Sequence, residues 1–436
     1  MLLWRRIIMK LTLEKVRVDD LVFGDHTMIN GTTLIVNKNE IIKKVKEDDR
    51  IAKVNIDIVK PGESARLFSV RDVIEPRVKV DDTCELFPGT IGSVDQVGEG
   101  VTKVFKGATI VTTGKIVGVK EGIIDMSGPG AEYTPFSHTN NLVLDCDPIS
   151  GLESRQYEEA LRLAGLKIAH YIGEKCQEAT AQEKVAYETL PIDQQKQKYP
   201  ELPKVGYIYM LQSQGLLHDT YFYGVDAKEI LPTYIYPTEV MDGAIVNGNS
   251  IIACDKNTTY HHLNNPIIED LFEYHGKEIN FCGVIITNEN VTLEDKERSS
   301  NYTAKLSEQF GFDGVIISKE EYGNTDTDLI MNCKKIEEKG IKTVLVTDEY
   351  AGRDGSSQSL ADADPKADAV VTTGNANETI ILPPMDKIIG KIDSEDLDAG
   401  NYEGNLKHDQ SIEIEIQAII GATNELGFNK MGATEF

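Results

Sequence analysis

Gly314-Val-Ile-Ile-Ser-Lys-Glu-Glu-Tyr-Gly-Asn-Thr-Asp-Thr-Asp-Leu-Ile-Met-Asn-Cys-Lys-Lys-Ile-Glu-Glu-Lys-Gly-Ile-Lys-Thr-Val-Leu-Val-Thr347 reads as one strand, helix and strand in succession. The Val/Ile runs at 314–318 and 343–347 have the length and β-branched content of buried strands, and 326–339 between them carries helical periodicity. Working outward, 205–211, 281–287 and 369–373 are further buried strands, and 293–310 is a second helix. Strands alternating with helices predict a doubly wound, mostly parallel α/β sheet within residues 201–436. The first 150 residues read differently. Val/Ile-rich runs such as Thr33-Leu-Ile-Val36, Ile51-Ala-Lys-Val-Asn-Ile-Asp-Ile58 and Ala108-Thr-Ile-Val-Thr112 are separated by Gly- and Asp-bearing turns. They predict a β-rich domain over 1–150, a barrel or a sandwich. From 151 to about 181 the pattern turns helical, with Leu161, Leu163, Leu166, Ile168 and Ile172 along Glu/Lys-rich sequence. Pro191-Ile-Asp-Gln-Gln-Lys-Gln-Lys-Tyr-Pro200 is a polar connector bounded by prolines, so 151–200 is read as a helical segment and connector between the two domains.

At 436 residues the chain can bury two or three cores, and 40% hydrophobic with 27% charged residues is ordinary for a globular protein. A formal net charge of −26 argues against nucleic acid, whose phosphates are bound through clustered Lys and Arg. No apolar run approaches the roughly 20 residues of a membrane span, so no membrane partner is expected. The arginines in Met-Leu-Leu-Trp-Arg-Arg-Ile-Ile-Met9 interrupt its apolar residues, unlike a signal peptide, and Met9 reads as a plausible start. Cysteines 84, 146, 176, 254, 282 and 333 show no Cys-x-x-Cys spacing and no matching histidine pattern, which disfavours zinc, iron–sulfur clusters and a disulfide framework. The cytoplasm is the consistent compartment. His261-His262 lacks a third ligand at helical spacing, and Ser127-Gly-Pro-Gly130 lacks the Lys and Ser/Thr of a phosphate loop. Neither a metal nor a nucleotide is expected.

In a doubly wound sheet the working groups gather at the carboxyl ends of the strands. That rule selects Asn288 and Glu289 after one strand, Asp348 and Glu349 with Arg353 and Asp354 after another, and Asn375 and Asn377 after a third. Such a rim suits a small zwitterionic amine. Arg353 matches a carboxylate through two parallel bonds, or forms a salt bridge to Asp348 or Asp354. Asp348 and Glu349 could poise an amine or transfer a proton, or cap their loop. His218 and Asp219, beyond the strand ending near Leu211, are an acid–base candidate pair, with a structural hydrogen bond as the alternative.

A second stretch, Met241-Asp-Gly-Ala-Ile-Val-Asn-Gly-Asn-Ser-Ile-Ile-Ala-Cys-Asp-Lys-Asn-Thr-Thr-Tyr260, holds Ser250 after Asn249 in a polar turn between apolar runs. Asn-Gly is a hairpin signal, which is the structural reading. The chemical reading is that the Ser250 hydroxyl attacks the carbonyl before it and shifts the acyl group from nitrogen to oxygen. β-Elimination, followed by hydrolysis that releases the nitrogen as ammonia, then leaves a pyruvoyl group at a new N-terminus. Cys254, four residues on, is either a thiol near that centre or a small buried side chain.

Several segments carry a resemblance to a known family. They are Lys204-Val-Gly-Tyr-Ile-Tyr-Met-Leu-Gln-Ser-Gln-Gly-Leu-Leu-His-Asp-Thr-Tyr221, Pro237-Thr-Glu-Val-Met-Asp-Gly-Ala244, Ala253-Cys-Asp-Lys-Asn-Thr-Thr259 and Thr347-Asp-Glu-Tyr-Ala-Gly-Arg-Asp-Gly355. Thr372-Thr-Gly-Asn-Ala-Asn377 and Ile123-Ile-Asp-Met-Ser-Gly-Pro-Gly-Ala-Glu-Tyr-Thr-Pro-Phe136 extend it to nearly the whole chain. The chain resembles the proproteins of the alpha and beta subunits of component B of the glycine, sarcosine and betaine reductases. The resemblance implies self-cleavage at Asn249-Ser250 and a pyruvoyl cofactor that forms an imine with the substrate amine for reductive C–N cleavage. It implies two partners: a selenocysteine-containing subunit of component B and the small selenoprotein of component A. The family pattern has Asn-Cys where this chain has Asn249-Ser250, and a hydroxyl is the weaker nucleophile. A natural serine variant, an engineered exchange and a paralogue that has lost processing all fit the departure. The alternative function is an unprocessed, non-catalytic scaffold that binds substrate in the same complex.

Overall fold

The computed structural model describes residues 8–81, 84–116, 122–214, 220–248, 257–320, 322–390, 405–426 and 434–435. Two four-stranded sheets organise the N-terminal part. One runs Glu183–Thr189, Met9–Arg17, Gly100–Lys106, Arg77–Lys79, and the other Ile51–Val59, Asn140–Pro148, Ala108–Thr113, Val70–Ile74. Each contains one parallel pair, Met9–Arg17 with Gly100–Lys106 and Ala108–Thr113 with Asn140–Pro148.

The expected helix after residue 150 is Ser154–Lys175. It buries Leu161, Leu166, Ile168 and Ile172 in a core shared with Ile74, Val78 and Ile110. Two glycines let the helix lie close on the strands, Gly173 against backbone and Gly165 against side chains. A Cβ on Gly173 would stand 2.4 Å from the Arg77 carbonyl oxygen, and one on Gly165 would stand 2.7 Å from Ile74 Cδ1. Backbone cannot yield as a side-chain tip can, so Gly173→Ala should lower the stability read from denaturant midpoints by about 1–3 kcal/mol, the usual cost of overpacking. An unchanged midpoint would contradict this contact.

The polar connector between Pro191 and Pro200 contains a short helix, Ile192–Lys198. Its inward residue is Gln195, which exchanges hydrogen bonds with Asn280 at the start of a strand (3.0 and 2.8 Å). A buried glutamine leaves no apolar stripe, so helical periodicity was absent from this stretch.

The C-terminal part is the doubly wound sheet. Among the described residues its order is Thr233–Ile235, Asn280–Asn288, Lys204–Leu211, Gly314–Ser318, Lys342–Glu349, Val370–Asn375, Thr434–Glu435. The five central strands are parallel and the two edges antiparallel. Strand side chains alternate between two cores. Ile208, Met210, Ile285, Ile317 and Leu345 face the helices Leu293–Phe310 and Asn324–Glu337, which add Ala304, Leu329 and Ile336. Tyr207, Tyr209, Val284 and Ile286 point the other way, onto Met241, Ile268 and Leu271, with Leu11, Leu13 and Val104 from the N-terminal sheet behind them.

Polar ties join the two parts. Arg77 Nη1 donates to the Met241 carbonyl (2.7 Å), and Asp242 accepts from Thr102 Oγ1 (2.6 Å) and the Gly98 amide (2.9 Å). Late in the chain, Lys387–Ile389 returns to pair with Ala65–Leu67. Among the described residues no helix is long and apolar enough to cross a membrane.

In chain order the five parallel strands stand 2-1-3-4-5, so the winding reverses between Lys204–Leu211 and Gly314–Ser318. By topology, the crevice of a doubly wound sheet lies there, at the carboxyl edge.

Candidate active site

The residues that follow the two strands at the reversal are polar and buried. Lys319 and Glu320 come directly after Ser318, and both are essentially closed to solvent. The Lys319 ammonium sits 3.0 Å from Asp326 and 3.2 Å from Asp348, each as buried as itself. A buried cation held by two carboxylates is stable only because it is paired. The Glu320 amide donates to Glu289 Oε1 (2.8 Å), which joins two strand ends, and Glu320 Oε2 accepts from Thr220 Oγ1 (3.2 Å).

His262 stands behind Glu320, its Nε2 3.8 Å from Glu320 Oε1 and its Nδ1 2.8 Å from the Tyr209 hydroxyl. Burial, aided by His261, pushes the His262 imidazole down to about 3, so it is neutral at ordinary pH. Burial drives the Tyr209 phenol well above its usual range, so it keeps its proton. Tyr209 and Nδ1 share this hydrogen bond, and Nε2 is the ring nitrogen nearest Glu320. Nε2 makes no hydrogen bond among the described residues.

Thr220 connects this row to the second sequence of interest. It lies in the strand Thr220–Phe222, which pairs antiparallel with Ile245–Asn247, and Thr220 is the partner of Asn247. The Asn247 amide donates to Thr259 Oγ1 (3.1 Å) and its Nδ2 to the Arg71 carbonyl (2.8 Å). Asp72 accepts from the Thr259 amide (2.8 Å) and hydroxyl (2.7 Å). Residues 247 and 259 are thus fastened to each other and to the N-terminal domain. Asn249, Ser250 and Cys254 lie outside the described residues, as do His218 and Asp219.

The remaining candidates divide into two groups. Glu289 and Asp348 belong to the crevice, through Glu320 and Lys319. The others hold loops. Asn288 donates to the Ala227 (3.2 Å) and Ile230 (3.1 Å) carbonyls and accepts from Ser299 (2.8 Å), beside a cavity of about 440 Å³ that Gln214, Asn290 and Arg298 also line. Glu349 accepts from Thr372 (2.7 Å) and Ser359 (3.1 Å), and Asp354 accepts from the Ser356 amide and hydroxyl. Arg353 pairs with Glu415 (2.7 Å), which also accepts from Asn377 Nδ2 (3.0 Å). Asn375 binds the Ala351 amide and the Gly352 carbonyl, and Asn377 the Gly352 amide.

Lys319, Glu320 and His262 were not among the sequence candidates. The strand-end rule that selected Asp348 applies equally to the two residues after Ser318. The His261-His262 pair suggests only a metal ligand in sequence, and among the described residues no group of His, Cys, Asp and Glu could hold a metal ion.

The family model for glycine/sarcosine/betaine reductase component B subunits matches residues 9–434. The chain belongs to that family. It is 60% identical to the glycine reductase complex component B subunits alpha and beta of Acetoanaerobium sticklandii, over 98% of this chain and the whole of that protein. It is 53% identical to the sarcosine reductase complex component B subunit alpha of Peptoclostridium acidaminophilum, over 98% of this chain and 99% of the relative. It is 38% identical to the betaine reductase complex component B subunit alpha of the same organism, over 98% of this chain and all of the relative. No solved structure matches the chain. Membership makes this chain an amino-acid reductase component, one member of a larger complex.

Proposed function

We propose that this component B chain is the precursor of the substrate-activating subunits of a glycine-reductase-type complex, and that it divides between Asn249 and Ser250 to leave a pyruvoyl group derived from Ser250. The glycine reductase relatives are named for two subunits, alpha and beta, and this chain matches them end to end, which favours division of one chain into two. The observation that carries the reading is the anchoring of Asn247. It pairs with Thr220, which binds Glu320, and its amide binds Thr259, so the described residues on either side of 249–256 are held to each other and, through Thr220, to Glu320.

A pyruvoyl group supplies an electrophilic ketone to which a substrate amine adds. The residues present fit such a group. His262 Nε2 is a fully buried ring nitrogen without a hydrogen bond among the described residues, the kind of atom an added polar group satisfies. Lys319 complements the carboxylate of a small zwitterion, and Asp348 and Glu289 complement its ammonium end. Arg353, Asp354, Glu349, Asn375 and Asn377 hold the adjoining loop in place, and Asn288 braces the loop beside the cavity.

Glycine is the substrate this reading favours, since identity falls from 60% through 53% to 38% across the glycine, sarcosine and betaine relatives. The partners are a selenocysteine-containing subunit of component B and the small selenoprotein of component A, which carry the reducing chemistry.

Intact mass of the purified protein tests the proposal. Two pieces are expected, of 249 residues and the remaining 187 of the 436, the smaller one carrying a carbonyl that reacts with hydroxylamine. A chain that stays whole on ageing, also as Ser250→Cys, overturns it and leaves a substrate-binding scaffold.

A further inference from the structure

The crevice holds a carboxylate whose surroundings go beyond structural support. Glu320 is 1% exposed and follows the strand at which the winding reverses. Its backbone is held by Glu289 and its side chain by Thr220, the register partner of the residue three positions before Ser250. On its other side is His262, fully buried, with Nε2 aimed at the carboxylate from 3.8 Å and Nδ1 fastened to Tyr209. The row Tyr209, His262, Glu320, Thr220 therefore runs from inside the sheet to the strand paired with Ile245–Asn247, which precedes the proposed cleavage point.

Resting on the function proposed above, we propose that Glu320 is the base that takes a proton from the substrate ammonium, with His262 as the positioning residue behind it. An ammonium cannot attack a carbonyl, because its lone pair is occupied. One N–H bond breaks, the electron pair stays on nitrogen, the proton passes to the Glu320 carboxylate, and nothing is oxidised or reduced. His262, neutral, stands behind the carboxylate without adding a charge that would compete with the ammonium. The step requires an N–H bond on the substrate. It assigns the site to primary and secondary amines and excludes a quaternary nitrogen, which has no proton to give.

The charged and titratable groups around Glu320 include His262 with Tyr209 and Tyr207 behind it, Glu289 at the backbone amide, Glu425 near both phenols, and the Lys319 cluster with Asp326 and Asp348 at the adjoining residue. Glu320→Gln keeps the shape and removes the base. In the assembled reductase complex, E320Q should still be cleaved, as read by intact mass, and glycine turnover near pH 7 should fall about 10²- to 10⁴-fold. Its residual rate should climb about tenfold per pH unit as the free amine fraction grows, while the wild type shows no such climb. Glu320→Asp should be cleaved and lose less. Turnover of E320Q within threefold of wild type, or a loss that is the same at every pH, overturns the assignment. So does failure of both variants to be cleaved when the wild type is cut, which would move Glu320 to maturation. A wild-type chain that stays whole defeats the proposed function instead, and is distinguishable by mass alone.

Discussion

Replacing Ser250 by alanine leaves the chain whole. No fragment of 187 residues appears on any timescale of storage, no carbonyl is labelled by hydroxylamine, and glycine turnover in the assembled complex drops to background. The reason is chemical. The acyl shift needs a nucleophile on the Cβ of residue 250, and the elimination needs a leaving group on the same carbon. Alanine has neither, so two successive steps fail, not one. The fold should survive the change, because the chain on either side is fastened at Asn247 and Thr259 to Arg71 and Asp72, which the substitution does not touch. Thermal melting of S250A should therefore track that of uncut wild-type chain. Ser250→Cys should do the opposite to the rate, since a thiol is the stronger nucleophile and the resulting thioester eliminates more readily. Cleavage of S250A into the same two pieces would remove Ser250 from the mechanism and, with it, the pyruvoyl reading.

What the sequence made legible was local. The strands at 314–318 and 343–347 and the helices flanking them declare themselves through apolar periodicity, and Leu293–Phe310 begins and ends as read. The strand-end rule then reached Glu289 and Asp348, because it needs only the position of a strand's last residue. Pairing across distance was not legible. Nothing in Met9–Arg17 says that its neighbour is Gly100–Lys106, or that Lys387–Ile389 returns to Ala65–Leu67. Arg353 illustrates the same limit at a single side chain. Its local context offered Asp348 and Asp354, whereas its partner Glu415 lies 62 positions on, brought near by the pairing of Ile412–Glu415 with Thr379–Leu382. The setting of His262 was out of reach for a related reason. A histidine pair invites a count of metal ligands, but the neighbours of His262 are Tyr209, within one strand of the sheet, and Glu320, just beyond the end of another.

Lys319→Met should be the most damaging single substitution in the crevice for stability. Methionine retains most of the unbranched stem and the volume, so packing loss is small. What disappears is the ammonium between Asp326 and Asp348, and both carboxylates remain where solvent cannot reach them. Removing one partner of a buried ion pair costs about 3–5 kcal/mol, because the charge left behind has neither water nor a counter-ion. Against a native stability on the order of 5–15 kcal/mol, that is a large fraction, and denaturant midpoints should show it directly. The energy belongs to the triad and not to the lysine alone, so a second substitution should return part of it. In Lys319→Met combined with Asp348→Asn, one of the stranded charges becomes an amide of the same shape. The double variant should therefore recover about 1–3 kcal/mol relative to K319M, the range expected for residues that share partners. Asp348→Asn alone leaves Lys319 with Asp326 and should cost less than K319M. The same series separates stability from chemistry, because a complementary charge for the substrate carboxylate is absent in both K319M variants. Stability should return in the double variant while glycine binding stays weak. A midpoint for K319M within about 1 kcal/mol of wild type, or a double variant no more stable than K319M, would mean that Lys319 is not the buried counter-charge of this crevice.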